Sequence, residues 1–182
     1  PMPEELAEQI VPIHQIIEAM GLPLLVVPGV EADDVIGTLA KEATEAKLPV
    51  LISTGDKDMA QLVNEHVTLV NTMNDTVLDR AGVIKKFGVP PEGIVDYLAL
   101  IGDTSDNIPG IPKVGPKTAA KWLNEYQTAD QLLEHAESIA GKVGENLRNH
   151  AGQIPLAREL ATIKQDVGLD IRLMDVGVGI GD

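Results

Sequence analysis

Leu6, Ile10, Ile13, Ile17 and Met20 recur at steps of four, three, four and three. That spacing predicts an amphipathic helix, with Pro12 as a bend point and Gly21 as its end. Leu24-Leu25-Val26-Val27 is short, apolar and β-prone, and reads as a first strand. A second helix is expected from about Ala32 to Ala46, with Val35, Ile36, Leu39 and Ala43 facing inward. Pro49 to Ser53 reads as a buried strand and Met59 to Val63 as a short helix. Val67 to Asn71 reads as a further strand, after which Asn74-Asp75 turns the chain toward Val77-Leu78. Strands alternating with helices predict an α/β fold with a parallel sheet flanked by helices.

After Asp79 the pattern becomes helical: Arg80 to Phe87, Pro91 to Ile101, Lys117 to Glu125, Ala129 to Ile139 and Ile154 to Ile163. A soft boundary near residue 102 divides an α/β region, 1–101, from a helical region, 102–170. Residues 171–182 form a glycine-rich end without periodicity, expected to be a flexible tail.

Composition narrows the class. A chain of 182 residues with 44% hydrophobic and 23% charged residues fits one globular domain with a helical annex. Its core must be aliphatic, because Phe87, Tyr97, Trp122 and Tyr126 are the only aromatic residues. No apolar run approaches the roughly 20 residues of a membrane span, and no signal-peptide pattern opens the chain, so a cytoplasmic protein without a membrane partner is expected. The absence of cysteine excludes disulfides and thiolate metal sites. The net charge of −14, with no Lys or Arg before Lys41, would by itself argue against a nucleic-acid partner. Two features can reverse that inference: acids gathered to hold cations, or a basic part lying outside this chain.

The acids are grouped. Glu31, Asp33 and Asp34 lie between the first strand and its following helix, Asp56 and Asp58 directly follow the next strand, and Asp103 and Asp106 share the loop Gly102-Asp-Thr-Ser-Asp-Asn. Loops at the carboxyl ends of parallel strands converge where ligands bind. Each group alone also fits helix capping or ordinary turns. Taken together they favour a site for a hard divalent cation, Mg²⁺ or Mn²⁺, held by oxygen alone. The segment Gly110-Ile-Pro-Lys-Val-Gly115-Pro-Lys-Thr is the second informative feature. Two glycines five apart suit a tight hairpin whose amides face a phosphate, with Pro116 in the first turn of the next helix. Lys113, Lys117 and Lys121 would add contacts to the backbone, so binding would not depend on base sequence.

Three ordered motifs, Glu31-Ala-Asp-Asp, Thr54-Gly-Asp-Lys-Asp and Gly102-Asp-Thr-Ser-Asp-Asn-Ile-Pro-Gly, run into this hairpin. Together they resemble the 5′-nuclease domain of bacterial DNA polymerase I, which belongs with the flap endonucleases. The resemblance extends to about Asp170. It implies a PIN-like, mostly parallel sheet flanked by helices, with a helix–three-turn–helix subdomain. It also implies two-metal hydrolysis of DNA 5′ ends or flaps, in replication and repair.

Carried over by position, Glu31 and Asp33 would serve one metal, and Asp56, Asp58 and Asp106 the second. Asp34 and Asp103 would stand just behind these ligands. Gly110, Lys113, Val114, Gly115, Lys117, Thr118 and Lys121 would hold duplex DNA, with a monovalent ion such as K⁺ at the hairpin. Branched or flapped DNA would be the partner, and a fused polymerase a further one. The family opens with two strands bearing metal-binding aspartates and a basic arch. Pro1 falls roughly where the arch ends, so this chain is expected to be a weakly active fragment. The rivals are a noncatalytic duplex-binding hairpin module and a PIN-type ribonuclease.

Overall fold

The computed structural model describes residues 3–173 and Val176. Helix α1 (Glu4–Ala19) carries Pro12 within it and buries none of its residues. Helix α2 (Ala32–Glu45) buries Val35 and Ala43 as its periodicity predicts, and also Gly37, Thr38 and Ala40. A three-stranded sheet follows in the order β1 (Val50–Ser53), β2 (Val67–Asn71), β3 (Thr76–Leu78). Strands β1 and β2 run parallel with Val50 opposite Val67, and β2 and β3 run antiparallel with Leu69 opposite Leu78. A 3₁₀ turn, Asp58–Leu62, fills the crossover.

Leu24–Val27 is not a strand, which corrects the sequence reading. β-propensity describes a side chain that fits a pleated surface, and a strand exists only where a neighbouring backbone completes its ladder. Among the described residues strand β1 pairs with β2 alone, and Val26 is left 67% exposed.

The helical region comprises α3 (Arg80–Phe87), α4 (Ile94–Ile101), α5 (Pro116–Tyr126), α6 (Ala129–Glu134), α7 (Gly141–His150) and α8 (Ile154–Ala161). Helix α3 opens on an Asp79 cap and ends at Gly88, whose φ is +77°. The expected helices at Pro91–Ile101 and Ala129–Ile139 are each divided between an α-helix and a 3₁₀ turn. Helix α7 was not foreseen, because Gly141 and Gly144 depress its helical propensity. Gly144 is needed there for packing: a Cβ on it would lie 1.9 Å from the Ile139 carbonyl oxygen.

Helix α4 is the hub, burying Ile94, Tyr97, Leu98, Ala99 and Leu100 and packing against α5 and α8. One apolar cluster runs from Ala40 and Ile52 through α4 to Ile163, so the core is continuous across residue 101. Asp96 is buried within that helix. Its Oδ2 accepts from the Ala129 amide at the start of α6, and its Oδ1 lies 2.9 Å from Arg158 Nε on α8. Arg158 Nη1 also donates to Asp130 at 2.9 Å. A buried carboxylate needs such partners, and here they tie α4, α6 and α8 together.

Candidate metal centre and nucleic-acid face

The start of α2, the segment after β1 and the loop after α4 bring their acids to one cleft. Glu31, Asp33, Asp34, Asp56, Asp58 and Asp106 all line a cleft of about 660 Å³. Burial raises the Asp33 pKa, and the charges of Asp56, Glu31, Asp34 and Asp106 raise it further. Three sequence-distant acid groups therefore share one electrostatic field. Glu31 precedes α2 without a side-chain capping bond, so the capping explanation of its position does not hold.

The tightest grouping is Asp58, Asp103 and Asp106, each offering a carboxylate oxygen within 4.8 Å of the others. Asp58 and Asp103 are buried and Asp106 is exposed. The Asp58 pKa is pushed up to about 6, first by burial and then by Asp56, against the opposing charge of Lys57. Its Oδ1 is buried and has no hydrogen-bond partner among the described residues. Lys57 Nζ lies 3.9 Å from that oxygen, too far for a hydrogen bond. A buried oxygen without a hydrogen bond, in a group of three converging carboxylates, is the arrangement a bound cation relieves, and the all-oxygen donor set suits a hard divalent ion. The residues present therefore fit a metal.

Asp56 lines the same cleft, while its Oδ1 accepts from the Asp58 amide at 2.9 Å. Asp103 is held from two sides: Lys57 Nζ pairs with its Oδ2, and the Ser105 amide donates to its Oδ1 at 2.8 Å. The Lys57 hydrogen bond holds Asp103 below the usual carboxylate range. For Lys57 itself, burial works against the charge, but Asp103 and the Asp58 and Asp56 carboxylates keep its pKa raised. Lys57 lies between two candidate ligands in sequence, and its role as a tether for Asp103 was not legible there.

The cleft's other wall was also missed. Glu159, Leu160, Thr162 and Lys164, at and beyond the end of α8, face the acids across it. The Lys164 amide donates to Asp34 Oδ1 at 2.9 Å, so Asp34 spends one oxygen on this wall. No local pattern links residues 130 positions apart.

The hairpin stands beside the third acid loop. The Ile111 amide donates to Leu100 O at 2.8 Å, Asn146 Nδ2 to Pro112 O at 2.6 Å and Gln153 Nε2 to Gly110 O at 3.0 Å. The turn Ile111-Pro-Lys-Val closes with the Val114 amide on Ile111 O at 3.0 Å. Its left-handed residue is Lys113, at φ +66°, where such turns favour glycine. Gly115 has an ordinary φ of −108° with open space about its Cα, so this backbone does not itself require glycine there. Of the hairpin's two glycines, the one the fold requires is Gly110, where a Cβ would lie 2.2 Å from Ile101 O. Val114 is buried beneath the turn, while Lys113, Lys117 and Lys121 are exposed. Lys117 and Lys121 project from α5 opposite its buried Ala119, Trp122 and Leu123.

This arrangement has the fold of known 5′-nucleases. The T5 D15 flap endonuclease, solved as a pseudo-enzyme-product complex with DNA and metal ions, superposes with a TM-score of 0.76 at 20% identity. The match covers 91% of this chain and 62% of that one. The catalytic core of Rad2 in complex with DNA substrate matches at a TM-score of 0.55 and 13% identity, over 91% of this chain and 58% of that one.

Residues 1–88 match the family described as 5′-3′ exonuclease, N-terminal resolvase-like domain, and residues 89–180 its C-terminal SAM fold. The chain belongs to the 5′-3′ exonuclease family. DNA polymerase I of Pseudomonas aeruginosa is 51% identical over 94% of this chain, and the 5′-3′ exonuclease of Aquifex aeolicus is 41% identical over 97%. The chain spans 20% of the former protein and 60% of the latter.

Proposed function

We propose that this chain supplies the cation-binding and duplex-holding parts of a 5′-3′ exonuclease and 5′-flap endonuclease acting on branched DNA in the cytoplasm. The observation that carries the reading is the Asp58–Asp103–Asp106 group, with oxygens within 4.8 Å of one another and a buried Asp58 Oδ1 that makes no hydrogen bond. Asp58, Asp103 and Asp106 would hold one divalent ion, Mg²⁺ or Mn²⁺, with Asp56 beside them. Glu31 and Asp33 would hold a second. Bound there, the ions would supply Lewis-acid stabilisation of the phosphoryl oxygens and activation of water.

The chain's own residues do the rest. Lys57 keeps Asp103 ionised and in place. The hairpin from Gly110 to Thr118 presents Lys113, Lys117 and Lys121 to phosphates of the duplex, without reading bases. A K⁺ ion at that hairpin, and a polymerase fused in the whole protein, belong to the same reading.

The test is cleavage of a 5′-flap DNA in Mg²⁺ or Mn²⁺, with single-stranded RNA as counter-substrate. Cleavage of the flap that falls on the order of 100-fold or more in Asp58→Asn is expected. Duplex binding without cleavage would instead leave a noncatalytic hairpin module, and preference for RNA would make the protein a ribonuclease.

A further inference from the structure

Gln61 lies three residues beyond Asp58 in the same 3₁₀ turn. Its Nε2 donates both to Asp58 O at 2.9 Å and to Ala161 O at 2.9 Å. Its Oε1 accepts from the Ile163 amide at 3.0 Å. Both N–H groups of this amide are used, and two of the three bonds cross about 100 positions of sequence. They fasten the turn that carries Asp58 to the segment closing the opposite wall of the cleft.

That segment is strapped to α2 as well. Asp34 Oδ1, Thr38 Oγ1 and Glu42 Oε2 accept from the amides of Lys164, Val167 and Leu173 at 2.9, 3.2 and 3.2 Å. The three acceptors are spaced by four and so share one helix face. Gly37 lies on this face because a Cβ there would meet Ile163 Cγ2 at 2.6 Å and Lys164 O at 2.9 Å. Of these side chains, Gln61 is the one bonded to the backbone of the Asp58 turn.

The Asp58 carboxylate needs such a restraint. It is desolvated and repelled by Asp56, Asp103 and Asp106 against the opposing charge of Lys57, 3.9 Å from its Oδ1, and that oxygen makes no hydrogen bond that would keep it in place. Unrestrained, the turn would swing the acid toward water. We infer that Gln61 is a positioning residue for the carboxylate site. Through Asp58 O, Ala161 O and Ile163 N, it holds Asp58 in register with Asp103 and Asp106. The inference rests on the metal-dependent reading above.

The experiment is Mn²⁺ titration of the full chain followed by electron paramagnetic resonance, on wild type, Gln61→Leu, Gln61→Glu and Thr38→Val. Gln61→Leu removes all three bonds, and Gln61→Glu, ionised, removes both donors at unchanged size. Both should weaken Mn²⁺ binding on the order of tenfold, as loss of a group that orients a ligand does. Thr38→Val loses the strap bond from the Val167 amide and the bond of Thr38 Oγ1 to Asp34 O, neither of which reaches the Asp58 turn. It should lower the melting temperature while leaving Mn²⁺ affinity within about twofold.

A wild type that binds no Mn²⁺ overturns the metal reading. A wild type that binds, with folded Gln61 variants binding equally well, overturns this inference alone. Should neither Gln61 variant fold, exchange of the Ile163 amide in wild type decides. Cation and clamp stabilise each other by linkage, so saturating Mg²⁺ should slow that exchange severalfold, and an unchanged rate refutes the coupling.

Discussion

Helices α4 and α1 are both apolar on one face, and their fates differ. Helix α4, with 8 residues, buries six of them, including Asp96. Helix α1 is twice as long, with 16 residues, and buries none: Leu6, Val11, Ile13 and Ile16 are all about half exposed or more. An amphipathic pattern records that a face needs a partner, not that one is present. In α4 the partners are α5 and α8, and a buried carboxylate completes the packing through Ala129 and Arg158. Among the described residues nothing covers the apolar face of α1 to the point of burial. Stability should therefore reside in the helical half, while much of the acidic chemistry sits on loops of the α/β half that the helical half pins down.

The sharpest way to break this contrast is Gly110→Val. Its Cβ would collide with the Ile101 carbonyl, backbone that cannot give way without moving α4. A loss above about 3 kcal/mol is expected, read by urea unfolding through the single tryptophan, Trp122, in α5. A near-neutral result would mean that the hairpin is not locked to α4.

Arg158→Met comes next. It leaves Asp96 buried with one amide donor and no cation, and should cost about 2–3 kcal/mol by the same measurement. Adding Asp96→Asn to it should recover part of that loss, because the uncompensated charge is gone. An additive double mutant would show that the pair is not coupled.

The smallest effect is expected in α1. Ile16→Ala should change stability by less than about 0.5 kcal/mol, as exposed substitutions do. A loss of core size would show that this face is covered in solution, and the contrast between the two helices would then fall.

Much of this architecture was readable in the chain. The bounds of α2, β1, β2 and α3 follow from periodicity and end signals, and Asp56 and Asp58 follow β1 as strand–helix alternation places them, whereas no strand precedes Glu31, Asp33 and Asp34. What escaped was non-local. Leu24–Val27 has strand composition, but composition does not supply a neighbouring backbone. The bond from Lys57 to Asp103, the clamp made by Gln61 and the wall formed by Thr162 and Lys164 join positions 46 to 130 residues apart. No periodic signal encodes such joins. Asp96 could have been suspected: an acid inside Ile94-Val-Asp-Tyr-Leu-Ala-Leu-Ile has no wet face to occupy, so it had to be buried and paired.

The strap along α2 also has a consequence in time. Asp34 and Asp58 leave the ribosome long before Lys164 and Ile163, which lie 130 positions beyond Asp34 and 102 beyond Gln61. At about 5–20 residues per second, roughly 5–26 s separate the partners of these joins. During synthesis the acid loops would have formed without the wall that fixes them. The acid cleft is thus closed only once residues 161–164 have emerged, so a polypeptide ended before them would carry the carboxylates but not the register that this wall imposes.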